Sequence, residues 1–354
     1  MSETRAIGKT LFSLTKPRVV VLLQITAMCA ILSHDLIELN TVDRNTFENM
    51  IIVFIGGYLT AGGANCINMW YDRDIDPIMN RTSKRPLSVG DISPDAALIF
   101  GILISILGTI WLVKMANEIA AFWALFSILF YVFIYTIWLK RTSVQNIVIG
   151  GIAGSTPPVI GLCAAEGNLQ ISMNSFQEFI NSIFDIGGYM PWFMFLLIFL
   201  WTPPHFWALA LYRSEEYKKV GVPMLPNVKG KQRTLLEMKV YAMILILLSI
   251  TAPLSYHNIE FWDEINLDIG NSLIILNTMT LSIWYGLTVW KIDITEENDE
   301  NNRMPTASHS FFISLSYLAF MFIALVLSSI GVQGSIISLI LVVILIFRNR
   351  RVVK

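Results

Sequence analysis

Asn68, Asp72 and Asp76 recur every fourth residue at the end of an apolar run. In a helix that spacing stacks three oxygen-bearing side chains on one face, and Asp74 points elsewhere. Oxygen donors of this kind suit Mg2+, which is held by one or two carboxylates while waters and substrate phosphates complete the octahedron. Carboxylates alone repel a diphosphate; with the cation between them, repulsion becomes a bridge. Arg73, Arg81, Lys84 and Arg85 lie in the same charged stretch, residues 65–90, and are suited to the remaining phosphate oxygens. The competing reading is a solvated loop whose acids and bases pair with each other. Acids at a membrane helix end are costly and usually functional, which favours the metal reading.

A second charged stretch, residues 212–237, follows the apolar segment that carries Pro203, Pro204 and His205. Tyr212 and Glu216 are four apart and share a helix face. Lys218, Lys219, Lys229 and Lys231 add positive charge, and Glu215 and Glu216 are the acids nearest to Tyr212. No Asp occurs there before Gly230, which weakens the case for a second symmetric metal site.

These residues need elements to hold them. Of the 354 residues, 55% are hydrophobic and 14% charged, too little charge to cover a soluble protein of this length. Apolar runs at 19–34, 50–70, 96–113, 118–138, 147–165, 189–211, 239–256, 271–290 and 311–330 approach the ~20 residues that a spanning helix needs. A shorter run at 332–347 reads as a tenth crossing or, alternatively, an interfacial helix. The fold class is therefore all-α: one membrane domain over residues 1–354, a polytopic bundle of nine helices with a short tenth, enclosing a cavity open near one face.

The net charge of −1 says little, but its distribution orients the bundle. Positive residues cluster before the first run (Arg5, Lys9, Lys16, Arg18) and after every even-numbered one, while the opposite loops hold only Arg44 and Lys114. The positive-inside rule makes the N-terminus and both charged stretches cytoplasmic. The first run reads as a retained helix without a cleavage site, and no Arg/Ser-rich presequence precedes it, so a bacterial inner membrane is expected. Cys29, Cys66 and Cys163 fit no metal or disulfide framework and read as packing. Segment 166–188 contains an amphipathic stretch that either roofs the bundle or merely connects. The acidic run 295–302 reads as a solvated loop, and His34 and His257 are expected at the outer surface. Charged stretches after the second and sixth runs suggest two related halves that share one cavity mouth.

The pattern N-x-x-x-D-x-x-x-D followed by R-T-x-x-R-P resembles the first Asp-rich motif of the UbiA superfamily of intramembrane prenyltransferases. NMWYDRDIDPIMNRT, PPHFWALA, GVPMLP and YTIWLKRTSVQNIVIGG resemble its haem-farnesylating branch, over most of residues 10–330. The second stretch lacks the Asp pair of many superfamily members. The resemblance implies transfer of farnesyl from farnesyl diphosphate to the 2-vinyl group of haem B, with water addition, giving haem O. It also implies Mg2+ on Asp72 and Asp76 with Asn68, and diphosphate contacts from the first-stretch cations, Lys140, Lys218 and Lys219. Tyr212 and Glu216 join the catalytic set, and His205, Asn146 and Tyr135 are candidates for haem contact, with a packing role as the alternative for His205. Expected partners are the lipid bilayer and the next enzyme of haem A synthesis, with no nucleic acid. Competing functions are another prenyltransferase of the superfamily, a transporter, and a haem carrier. A transporter places acids at mid-membrane; a carrier has no use for Asp72 or Asp76.

Overall fold

The computed structural model describes residues 2–256, 268–300 and 303–352, and among them all regular structure is helical. We number the longer helices α1 (Ser2–Leu14), α2 (Pro17–Glu38), α3 (Arg44–Tyr71), α4 (Pro94–Met115), α5 (Glu118–Thr142) and α6 (Asn146–Glu166). They continue with α7 (Phe176–Phe184), α8 (Met190–Lys219), α9 (Leu225–Ile250), α10 (Ile269–Trp290), α11 (Pro305–Ser328) and α12 (Val332–Val352). Local chemistry sets their starts. Asp43 makes a capping box with Thr46, and Ser93, Asn117, Ser175 and Asp268 cap α4, α5, α7 and α10 through their side chains. Proline occupies the first turn of α2, α4, α8, α9 and α11, where its missing N–H costs nothing.

Among the described residues, nine helices are long and apolar enough to cross a membrane. They include the run at 332–347, which the structure extends to Val352. They do not include α9, because Arg233, Glu237 and Lys239 occupy its first half. Its buried residues Thr234, Met238, Ala242, Leu245 and Ser249 nevertheless fall at helical spacing and seat it in the bundle. Pro253 follows in a 3-10 turn, Ala252–Tyr256. His257 and most of the link between the apolar runs at 239–256 and 271–290 lie outside the described residues.

Packing between helices relies on small residues, as membranes demand where apolar burial gives no net drive. A Cβ on Gly63 of α3 would lie 2.6 Å from the Gly101 carbonyl of α4, and one on Gly161 of α6 would lie 2.4 Å from the Ala27 carbonyl of α2. Large apolar side chains of α4, such as Ile99, Leu103 and Leu107, face outward at more than half exposure, as lipid contact requires. Polar glue fastens α12: Asn277 Nδ2 donates to the Ser335 carbonyl at 2.9 Å.

Aromatic and aliphatic side chains pack at the end of the bundle away from the charged stretches. Segment 166–188 folds onto it, with Ile183 and Ile186 buried in one cluster beside Ile31, Trp123 and Ile160. The Trp123 ring meets Phe184 at 5.7 Å and Trp192 at 5.6 Å. His34 is buried here, not superficial as its place in the sequence suggested. Asp35 and Glu166 stand 2.8 Å from its two ring nitrogens.

Candidate active site

Helix α3 ends at Tyr71, and the chain continues through two 3-10 turns, Asp72–Asp74 and Asp76–Ile78. The expected facing of the acids survives although the α-helix does not: Asp72 and Asp76 are buried at 0% and 2% exposure, while Asp74 lies outside. Each buried acid is met by a cation, Asp72 by one from α5 and Asp76 by one from its own stretch. Lys140 Nζ donates to Asp72 Oδ2, and Arg85 Nη1 donates to Asp76 Oδ2 at 2.6 Å. Arg141 forks onto Asp74 at 2.6 and 2.7 Å, with Nη2 also 3.7 Å from Asp72 Oδ1. Such bidentate pairing is the strong form of the contact.

Asn68 sits at the centre. Its Nδ2 donates to Asp72 Oδ2 at 3.0 Å and to Thr136 Oγ1 at 3.1 Å, and its Oδ1 accepts from Lys16 Nζ at 2.7 Å. Burial, reinforced by Arg85 and Lys140, holds the Lys16 ammonium well below the ordinary lysine range, against the pull of Asp72 and Asp76.

Helix α5 widens into π turns over Phe130–Leu139 on the site side, a distortion frequent at functional sites. It brings Thr136 inward and stacks Tyr131 on Tyr135 at 5.3 Å. Arg81 and Asp72 lie within electrostatic reach of both phenols. Tyr217, from the second stretch, is in reach of Arg81, Tyr135 and Lys140.

The second stretch is mostly helical: α8 runs to Lys219 and α9 starts at Leu225, leaving a short link with Gly221 at φ 69°. Val222 and Met224 of this link join Ile75 and Ile147 in a buried apolar cluster, so the two charged stretches meet at one mouth. Glu216 is half-buried and pairs with Arg213; Tyr212 is buried in the main core. Glu215, Lys218 and Lys219 are exposed at the end of α8, as is Lys84 in the first stretch. Arg73 turns away, lying 4.7 Å over Trp70. Asn146 is buried and donates to the Ser143 carbonyl at 2.7 Å, shaping the α5–α6 link.

His205 lies between Trp201 and Phe311 with ring centroids 4.2 and 4.5 Å away. Its Nδ1 is 2.6 Å from Ser314 Oγ, and that hydroxyl donates to the Phe311 carbonyl. Ser314 Oγ thus bridges the ring and the backbone of α11.

The donors fit a hard divalent ion. Asp72 Oδ1 is buried and has no hydrogen-bond partner, a costly condition that a cation relieves. No group of three or more His, Cys, Asp or Glu able to hold a metal occurs among the described residues; two carboxylates suffice where phosphate oxygens complete the shell. Sequence reasoning passed over Lys16, Tyr131, Thr136, Arg141 and Tyr217. A signal existed for two of them: Tyr131 and Thr136 put hydroxyls into an apolar run that ends at Lys140.

The profile of the UbiA prenyltransferase family matches residues 19–262. The chain is 37% identical over 321 residues to the protoheme IX farnesyltransferase of Bartonella tribocorum, covering 90% of each. It is 43% identical over 244 residues to that of Beijerinckia indica subsp. indica, covering 68% and 67%. Among solved structures it resembles a digeranylgeranylglyceryl phosphate synthase (TM-score 0.64, 19% identity, 93% of this chain and 99% of that one). It also resembles a UbiA homolog from Archaeoglobus fulgidus bound to GPP and Mg2+ (TM-score 0.56, 17% identity, 90% and 99%). At these identities the two structures speak for the fold.

Proposed function

The chain belongs to the UbiA prenyltransferase family, and we propose that it transfers a farnesyl group from farnesyl diphosphate to haem B. It is a multi-pass membrane prenyltransferase. The observation that carries the chemistry is the pair of buried carboxylates, Asp72 and Asp76, each facing a cation inside an apolar bundle. The further proposals are a bacterial inner membrane with the N-terminus cytoplasmic, water addition to give haem O, and hand-over to the next enzyme of haem A synthesis.

Asp72 and Asp76, with Asn68 beside them, would hold Mg2+ as the divalent metal. When bound, it neutralises charge on the diphosphate and makes it a better leaving group. The protein's own residues do the rest. Arg81, Arg85 and Lys140 receive the charge that builds on the departing oxygens as the C1–O bond of farnesyl breaks and its electron pair leaves with diphosphate. The stacked Tyr131 and Tyr135 offer π faces to the allylic cation. The apolar walls keep water from quenching that cation early. The 2-vinyl π electrons then form the new C–C bond, and water adds to the resulting carbocation with loss of a proton. Glu216 stands at the second side of the mouth and aids placement of that water or of the metal, with Tyr212 one turn earlier in the core behind it. Lys84, Lys218 and Lys219, at the exposed rim, and Arg73 add positive field for the approaching diphosphate. Asn146, Tyr135 and His205 serve the haem side, His205 by contact with a propionate or with the iron.

The test is a membrane assay with haem B, farnesyl diphosphate and Mg2+, with pigments analysed by mass. A farnesyl-plus-water gain on haem is expected. Prenylation of another aromatic ring with haem untouched would overturn the substrate assignment.

A further inference from the structure

Two non-glycine residues among those described have positive φ, Asn40 and Lys16. Asparagine tolerates the left-handed region; lysine rarely adopts it. Lys16, at φ 52° and ψ 60°, makes the turn from α1 into Pro17 of α2. Glycine would make that turn without a Cβ penalty. The lysine therefore needs a reason in its side chain, and that side chain ends 2.7 Å from Asn68 Oδ1.

Lys16 Nζ donates to Asn68 Oδ1. Its contact fixes which end of the Asn68 amide is oxygen and commits Nδ2 to Asp72 Oδ2 and Thr136. A flipped amide would set donor against donor at Lys16 and acceptor against acceptor at Asp72. With Nδ2 and Lys140 both on Oδ2, the other oxygen of Asp72 stays buried without a hydrogen bond, Arg141 being 3.7 Å away. We propose that Lys16 is a positioning residue: through Asn68 it sets the rotation of the Asp72 carboxylate and so presents Oδ1 to the metal–diphosphate. This rests on Asp72 as a metal ligand.

The test uses full-length, metal-stripped protein in nanodiscs, with Mn2+ affinity read by EPR in the presence of the non-hydrolysable farnesyl thiodiphosphate. Lys16→Gly relieves the backbone, so its melting temperature should equal or exceed that of the parent while Mn2+ affinity falls about tenfold, the usual effect of losing an outer-shell partner. Lys16→Met and Asn68→Ala should each weaken Mn2+, and the double variant should be no weaker than Asn68→Ala alone. Additive losses would mean that Lys16 acts on the diphosphate directly and would overturn the inference, as would unchanged affinity in Lys16→Gly. Asp72→Asn separates the two levels: unaltered Mn2+ affinity there would sink the metal-ligand reading itself, whereas additive losses alongside an Asp72-dependent site would sink only the role given to Lys16.

Discussion

Ile75, in the middle of the first charged stretch, and Val222, in the link between α8 and α9, are buried in one apolar cluster with Ile147, Ala210 and Met224. Two polar segments far apart in sequence are thus clasped by an apolar contact between the acids of one and the cations of the other. Ile75→Ala removes part of that clasp, a change that costs about 2–5 kcal/mol at a well-packed site. We expect turnover to drop while the rest of the bundle stays intact. Hydrogen exchange should rise together in both stretches; a rise confined to the first would show that they move independently.

Asp72→Asn should abolish turnover, as should Asp76→Asn. The structure adds a complication for the first: Lys140 then loses its carboxylate, and removing one partner of a buried pair costs about 3–5 kcal/mol. The double variant Asp72→Asn with Lys140→Met should recover much of the lost thermal stability and none of the activity. Near-normal turnover in metal-controlled Asp72→Asn protein would contradict the role given to this carboxylate.

Glu216 is half-buried beside Arg213, while Glu215 is exposed. Glu216→Gln should lower turnover about tenfold with substrate affinity little changed, the signature of an interaction made in the transition state. Glu215→Gln should have a smaller effect. Equal, mild effects would reduce both acids to surface partners contributing about 0–1 kcal/mol.

Both charged stretches carry exposed positions suited to labelling, Lys84 and Lys229. Single cysteines there should react with an impermeant maleimide only from the cytoplasmic side of oriented membranes. Reaction of either from the other side would reverse the proposed orientation.

Much of this was legible in the sequence because its causes are local. Four-residue spacing told which acids turn inward, although 3-10 turns carry both of them. Apolar runs located the helices, and only α9, with charges in its first half, blurred their count. What could not be read depends on tertiary placement or on backbone that periodicity does not describe. Lys16 looked like one more flanking charge because nothing nearby announces a left-handed turn. Thr136 and Tyr131 were hidden because π turns rotate side chains away from the 3.6-residue pattern. His34 looked superficial because its partner Glu166 arrives from the far end of α6.

An enzyme that keeps so much charge inside a bilayer risks becoming a leak. The aromatic cluster of Trp123, Phe184 and Trp192, and His34 between Asp35 and Glu166, pack at the end opposite the mouth. The bundle is thus built asymmetrically: the charge that a polar substrate needs gathers at one end of the helices, and aromatic rings are packed at the other.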